Sequence, residues 1–138
     1  VILHFKTLVM PIFESVFTVE EKHLDDIQHV NNVHYVQWVQ DIAKLHWDRN
    51  ATPSIQERYF WVLTTHLIEY KNSALLGDLI NVRTYVSKYQ GAVCHRIVEI
   101  TDKTTNMLLA TSETKWCLIS TETKRPTRIT REIAELFE

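Results

Sequence analysis

The chain has 138 residues, enough for one domain with a real core. Apolar residues make up 45 %, which argues against disorder, and 15 basic against 17 acidic residues leave a net charge of −2. That balance excludes a strongly basic nucleic-acid footprint, and two glycines exclude a Gly-rich phosphate cradle. Val, Ile and Thr together supply 40 residues, which favours strands over a helical bundle.

The opening Val1–Phe13 is apolar but carries His4 and Lys6 and lacks a small-residue cleavage site, so it does not read as a signal peptide. Met10-Pro11 reads as a plausible start, with residues 1–9 upstream of it. Phe13–Val19 predicts a first strand, with Phe13, Ser15, Phe17 and Val19 on one face. Residues 20–30, EEKHLDDIQHV, read as a loop. A helix follows, capped by Asn31 or Asn32, with Val33, Val36, Val39, Ala43 and Trp47 as its apolar stripe and Ile42 and His46 beside it. Asn50 and Pro53 mark its exit. Four extended stretches come next: Arg58–Tyr70, Leu79–Tyr89 after a Gly77-Asp78 turn, Ala92–Asp102 after Gln90-Gly91, and Met107–Ser120. Thr130–Phe137 predicts a short helix capped by Thr130. One amphipathic helix after the first strand, then a meander, predicts an α+β layer with an antiparallel sheet around the helix. Cys94 and Cys117 match neither a disulfide framework nor a metal pair and read as reduced, buried thiols of a cytoplasmic protein. No apolar run is long enough to span a bilayer.

The chemistry concentrates just before the helix. His23, Asp25, Asp26, His29, Asn31, Asn32 and His34 fall in one short segment. A helix start exposes unpaired N–H groups that stabilise an anion, including the oxyanion of an attacked carbonyl. A carboxylate there activates water or attacks an acyl carbon itself. Carboxylate, imidazole and oxyanion site together point to acyl transfer to water. The competing reading is that these side chains only cap the helix and tie the loop.

The run D-D-I-Q-H-V-N-N-V-H-Y-V-Q-W, Asp25 to Trp38, resembles the signature of hotdog-fold thioesterases, especially the acyl-ACP thioesterases and more loosely the 4-hydroxybenzoyl-CoA thioesterases. Ile68-Glu69-Tyr70, Gly77-Asp78 and the final turn at 121–129 extend the resemblance. It implies a hotdog fold: an antiparallel sheet of about five strands wrapped around one long central helix, in a single domain. It implies hydrolysis of an acyl-CoA or acyl-ACP thioester in fatty acid metabolism, without metal or bound cofactor. Asp25 matches the family's catalytic acid, His29 the motif histidine and Asn32 the position whose backbone N–H faces the thioester oxygen. Asn31, Tyr35 and Trp38 are expected on the substrate side. Asp26 is the competitor to Asp25. Two positions depart from the pattern: Ile27 stands where acyl-ACP enzymes carry Asn, and Gln28 where acyl-CoA relatives usually carry Gly. The expected partners are the thioester substrate and further copies of the chain, as a homodimer or homotetramer, with no nucleic acid and no membrane.

Other clusters are weaker. Asp41 is the only acid between Asn31 and Trp47 and lies about 200° round from Val39, so it is expected at solvent or an interface rather than as the base. His66 and Glu69 have opposite strand parity and cannot share a site. His23, Asp25, Asp26 and His29 have ligand chemistry but no second cluster to complete a metal centre. Lys124, Arg125, Arg128 and Arg131 form a basic group that suits coenzyme A phosphates or a solvated surface. On their chemistry alone Tyr35, Trp38, Trp47, Phe60 and Trp61 are expected to pack the core or an interface, with an acyl tunnel as the functional alternative. A non-catalytic acyl-carrier or acyl-chain binding module remains the rival reading, favoured by Ile27. A hotdog hydratase or dehydratase is the third.

Overall fold

A computed structural model describes residues 6–7 and 12–138. Met10-Pro11 lies outside them. The elements are β1 (Lys6–Thr7), β2 (Phe13–Thr18), a 3-10 turn (Glu21–His23), α1 (Asn32–Asn50), α2 (Pro53–Arg58), β3 (Tyr59–Tyr70), β4 (Leu79–Gln90), β5 (Val93–Asp102), β6 (Leu108–Ser120), α3 (Arg131–Ala134) and a last 3-10 turn (Glu135–Phe137). All strand pairings are antiparallel. The order is β1-β4-β5-β6-β3, with β2 also pairing β4 on the β1 side. The expected α+β hotdog architecture is therefore what the chain adopts, with the two-residue β1 added to five longer strands.

Period-2 patterning places the sheet's inner face. Ile80, Val82, Thr84 and Val86 of β4 and Cys94, Arg96, Val98 and Ile100 of β5 are all buried. Helix α1 packs its Tyr35, Trp38, Val39, Ile42, Ala43 and His46. This corrects the expected stripe. Val33 is 61 % exposed because, at about 100° per residue, it lies about 200° round the helix from Tyr35; the buried stripe keeps Val39, Ile42, Ala43 and His46 but begins with Tyr35 and Trp38. Two apolar clusters result. One joins Val19, Tyr35, Trp38, Val39 and Ile42 to Ile80, Val82, Val98 and Ile100. The other joins Ala51, Ile55, Cys94 and Leu118 to Ile133 and Phe137 of the C-terminal segment.

Three local expectations need revision. Pro53, expected only to mark the exit of α1, opens a second helix that runs through Arg58, the residue expected to begin the strand: Thr52 accepts from the Ile55 N–H (3.2 Å) and Pro53 occupies the first turn, where its missing N–H costs nothing. Thr130 sits at the N-cap of α3 but its side chain makes no cap bond. Cys94 is buried as expected, whereas Cys117 is only half-buried. Among the described residues no helix is long and apolar enough to cross a membrane.

Candidate active site

Residues 23–31 form a clamped loop in front of α1. Leu24 bridges Val30 and His29 bridges Leu75. Between them the Asp25 N–H donates to the His29 carbonyl (2.7 Å) and the Gln28 N–H to the Asp25 carbonyl (3.1 Å). The Asp25 side chain holds the turn from inside: Oδ1 accepts from the Ile27 N–H and the His29 N–H, both at 3.0 Å. Gln28 pays for the tight path with φ +65°, the left-handed region that glycine enters freely. Among the described residues Asp25 Oδ2 has no hydrogen bond, and Asp25 is half-buried while Asp26 is exposed.

The loop is fixed to the helix and to the next turn. The Asn31 N–H donates to the His23 carbonyl (2.9 Å), and the Val30 N–H to the Ala74 carbonyl (3.0 Å). Asn31 caps α1, its Oδ1 accepting from the Val33 N–H (3.2 Å). The Asn32 N–H, first of the helix, has no acceptor among the described residues. Such an end carries partial positive charge. Tyr35 reaches from the first turn to accept the Ala74 N–H at 2.9 Å. It is 2 % exposed, and burial raises its phenol pKa, so it acts as a latch in the core.

Trp38 is also in the core, edge-on to Phe17 (4.8 Å), Tyr35 (5.2 Å) and His23 (5.4 Å). It lines a cleft of about 300 Å³ together with Ser15, Phe17, His23 and Asp41. His23 Nδ1 accepts the Glu20 N–H (2.9 Å), which leaves the ring proton on Nε2. Burial, then His34 and Lys22, lower the His23 pKa. A second cleft of about 470 Å³ opens on the other side of α1, toward β3 and β6, and Asp41 borders it too. The structure thus groups Asp25, His29, Asn31 and Asn32 at one end of the molecule and puts Tyr35 and Trp38 inside it. None of the three clefts described borders Asp25, His29 or Asn32. Asp41 is exposed, as expected, and accepts from Gln37 Nε2 at 2.7 Å. Its place on two clefts was not legible in the helical periodicity, which reports the angle round the helix and not what the sheet leaves uncovered. His66 is half-buried and Glu69 faces solvent with Lys71, on opposite sides of β3.

An antiparallel sheet around one long helix, with an acid-bearing loop leading into the helix start, defines a hotdog-fold acyl thioesterase domain. The family model for the acyl-ACP thioesterase N-terminal domain matches residues 11–137, and the chain belongs to that family. No curated protein matches it. Among solved structures it is similar to YbaW, a probable thioesterase from Escherichia coli (TM-score 0.77, 23 % identity, 89 % of this chain and 94 % of that one). It is also similar to the hypothetical protein SAV2348 from Staphylococcus aureus, solved in complex with CoA (0.82, 18 %, 95 % and 84 %). A third is the 12:0-ACP thioesterase from Umbellularia californica (0.78, 16 %, 92 % and 51 %), of which this chain spans about half.

Proposed function

We propose that the protein hydrolyses an acyl thioester of coenzyme A or of an acyl carrier protein, with Asp25 as the base and the start of α1 as the oxyanion site. The carrying observation is the half-held carboxylate: two backbone N–H groups grip Asp25 Oδ1, and among the described residues Oδ2 is left over in the loop leading into a helix whose Asn32 N–H has no acceptor. Oδ2 takes a proton from water as the water oxygen bonds to the acyl carbon. The carbonyl oxygen gains charge facing the helix N–H groups. The C–S bond then breaks, the proton passes to the departing sulfur, and acid and thiol leave. His29, half-buried with no ring hydrogen bond among the described residues, orients the acid or the substrate. The relatives whose names mention CoA and ACP support both carriers as candidates.

The site is proposed to be completed by a second copy. β3 pairs only with β6, so among the described residues its other edge is unpaired. Ile27, Val33, Leu75 and Leu76 stand 48–69 % exposed beside the acid loop and helix start.

The test is steady-state hydrolysis of dodecanoyl-CoA. Asp25→Asn keeps the Oδ1 acceptor, hence the turn, and is expected to lower kcat by about 10²–10⁴-fold, while Asp26→Asn is not. A second reading is favoured by one observation, that Asp41 borders two clefts and Asp25 none of the three described. If Asp41→Asn abolishes turnover and Asp25→Asn does not, the base is on the helix.

A further inference from the structure

The inner face of the sheet carries a polar row between the two apolar clusters. Arg96 of β5, 4 % exposed, is its centre. Nη1 lies 3.0 Å from His46 Nδ1 and 3.0 Å from Thr84 Oγ1. Guanidinium nitrogens only donate, so His46 Nδ1 accepts and the imidazole is neutral. The Thr84 hydroxyl donates onward to the Ile97 carbonyl at 2.8 Å. Phe137 lies 5.5 Å from the guanidinium carbon. Across the sheet Arg96 pairs with Thr114, and Thr114 with His66, whose buried Nε2 has no partner.

Among the described residues no carboxylate pairs with Arg96, and its Nε and Nη2 make no hydrogen bond. Buried charges are otherwise paired, because desolvation penalises a lone ion heavily. Arg96 lines the cleft of about 470 Å³, and Trp47, Trp61 and Trp116 are among its walls. The acids on that cleft are Asp41 and Asp48 of α1, both exposed; Gln37 engages the first and Lys44 the second. The result is an aromatic slot with a fixed cation inside and no anion to meet it.

We propose that this cleft binds a carboxylate carried on an apolar body, the carboxylate seated on Nε and Nη2 of Arg96 and the body lying against the tryptophan-lined wall. Nε and Nη2 form one edge of the planar fork and match the two oxygens of a carboxylate. Binding stands apart from hydrolysis; only the source of the ligand rests on the thioesterase reading. That source is the free acid released by the reaction or the far-end carboxylate of a dicarboxylic acyl thioester.

Tryptophan fluorescence titration with dodecanoate and with 1-dodecanol tests the site, since three of the four tryptophans wall the cleft. Dodecanoate is expected to bind at least about tenfold tighter than the alcohol, and Arg96→Met to erase the preference. Equal affinities in the wild type, or a preference that survives Arg96→Met, overturn the proposal. Should Arg96→Met fail to fold by circular dichroism, wild-type melting decides: dodecanoate raises Tm and dodecanol does not, and equal shifts overturn the proposal. The source is read from turnover. A far-end carboxylate site gives dodecanedioyl-CoA a higher kcat/KM than dodecanoyl-CoA. A product site leaves the two alike and makes dodecanoate a competitive inhibitor. Dodecanoate preference without any hydrolysis sinks the thioesterase reading and keeps this one; hydrolysis without the preference does the reverse.

Discussion

His46 shows how a single side chain ties stability to pH. It is 2 % exposed, stacked on Phe13 at 4.9 Å, edge-on to Phe137 at 5.3 Å and bonded to Arg96. Burial first, then the Arg96 charge, push its pKa down to about 4. The unfolded chain, with an ordinary imidazole, binds more protons below about pH 6.5, so stability rises with pH through that window. The contribution is full above the unfolded pKa and is lost as pH falls toward 4, by about 3 kcal/mol at most. Urea midpoints at pH 7.5 and 4.5 check this: the wild type should lose more than His46→Gln, and equal losses would refute it. Arg96 itself could have been singled out from sequence. It is the one charged residue in the alternating series Cys94, Arg96, Val98, Ile100. What sequence could not give is the missing counter-ion, which depends on residues from α1 and β4.

At the scale of elements, the acid loop explains the departure from the family pattern at Gln28. Its φ of +65° is a glycine conformation, which is why a glycine suits the position. A side chain there costs roughly 1–2 kcal/mol, partly offset by the roughly 0.5–1 kcal/mol of extra chain entropy that glycine forfeits. Gln28→Gly is therefore expected to raise stability by up to about 1 kcal/mol and Gln28→Val to lower it, read from urea midpoints. The order of elements and the helix cap at Asn31 were legible because caps, turns and period-2 runs are local signals. The helix stripe departs from expectation at Val33, which is exposed on the face opposite Tyr35; Tyr35 and Trp38, for which the core and the substrate side were both open, lie in the core. Which face a helix buries is decided by where the sheet lies. Helix α2 left its signal in Thr52-Pro53, which reads equally well as the end of α1. The roles proposed for Asp25, His29 and Asn32 rest on the resemblance, since the same stretch supplies turn and cap donors and acceptors.

For the whole molecule, the edge of β3, open among the described residues, is the feature that most needs a partner. Phe60, Val62 and Leu67 are 38–57 % exposed along it. A long, apolar, unpaired edge strand is a ready template for another chain. Light scattering on a sizing column is expected to give at least twice the 16.3 kDa chain mass. Leu67→Lys should shift the population toward the single chain and depress hydrolysis with it. A wild type that elutes as one chain at every concentration would remove the second copy from the site.

The polar seam at Arg96 also divides the interior into two separately packed halves. The C-terminal segment 130–137 contributes Ile133, Ala134 and Phe137 to only one of them. Cooperative units tend to follow such divisions. Native-state hydrogen exchange should accordingly find that this segment lets go before the strands around Val82 and Val98, at a free energy below that of global unfolding. Since Phe137 walls the aromatic cleft, such partial opening would give a long-chain guest a way in that leaves the acid loop undisturbed.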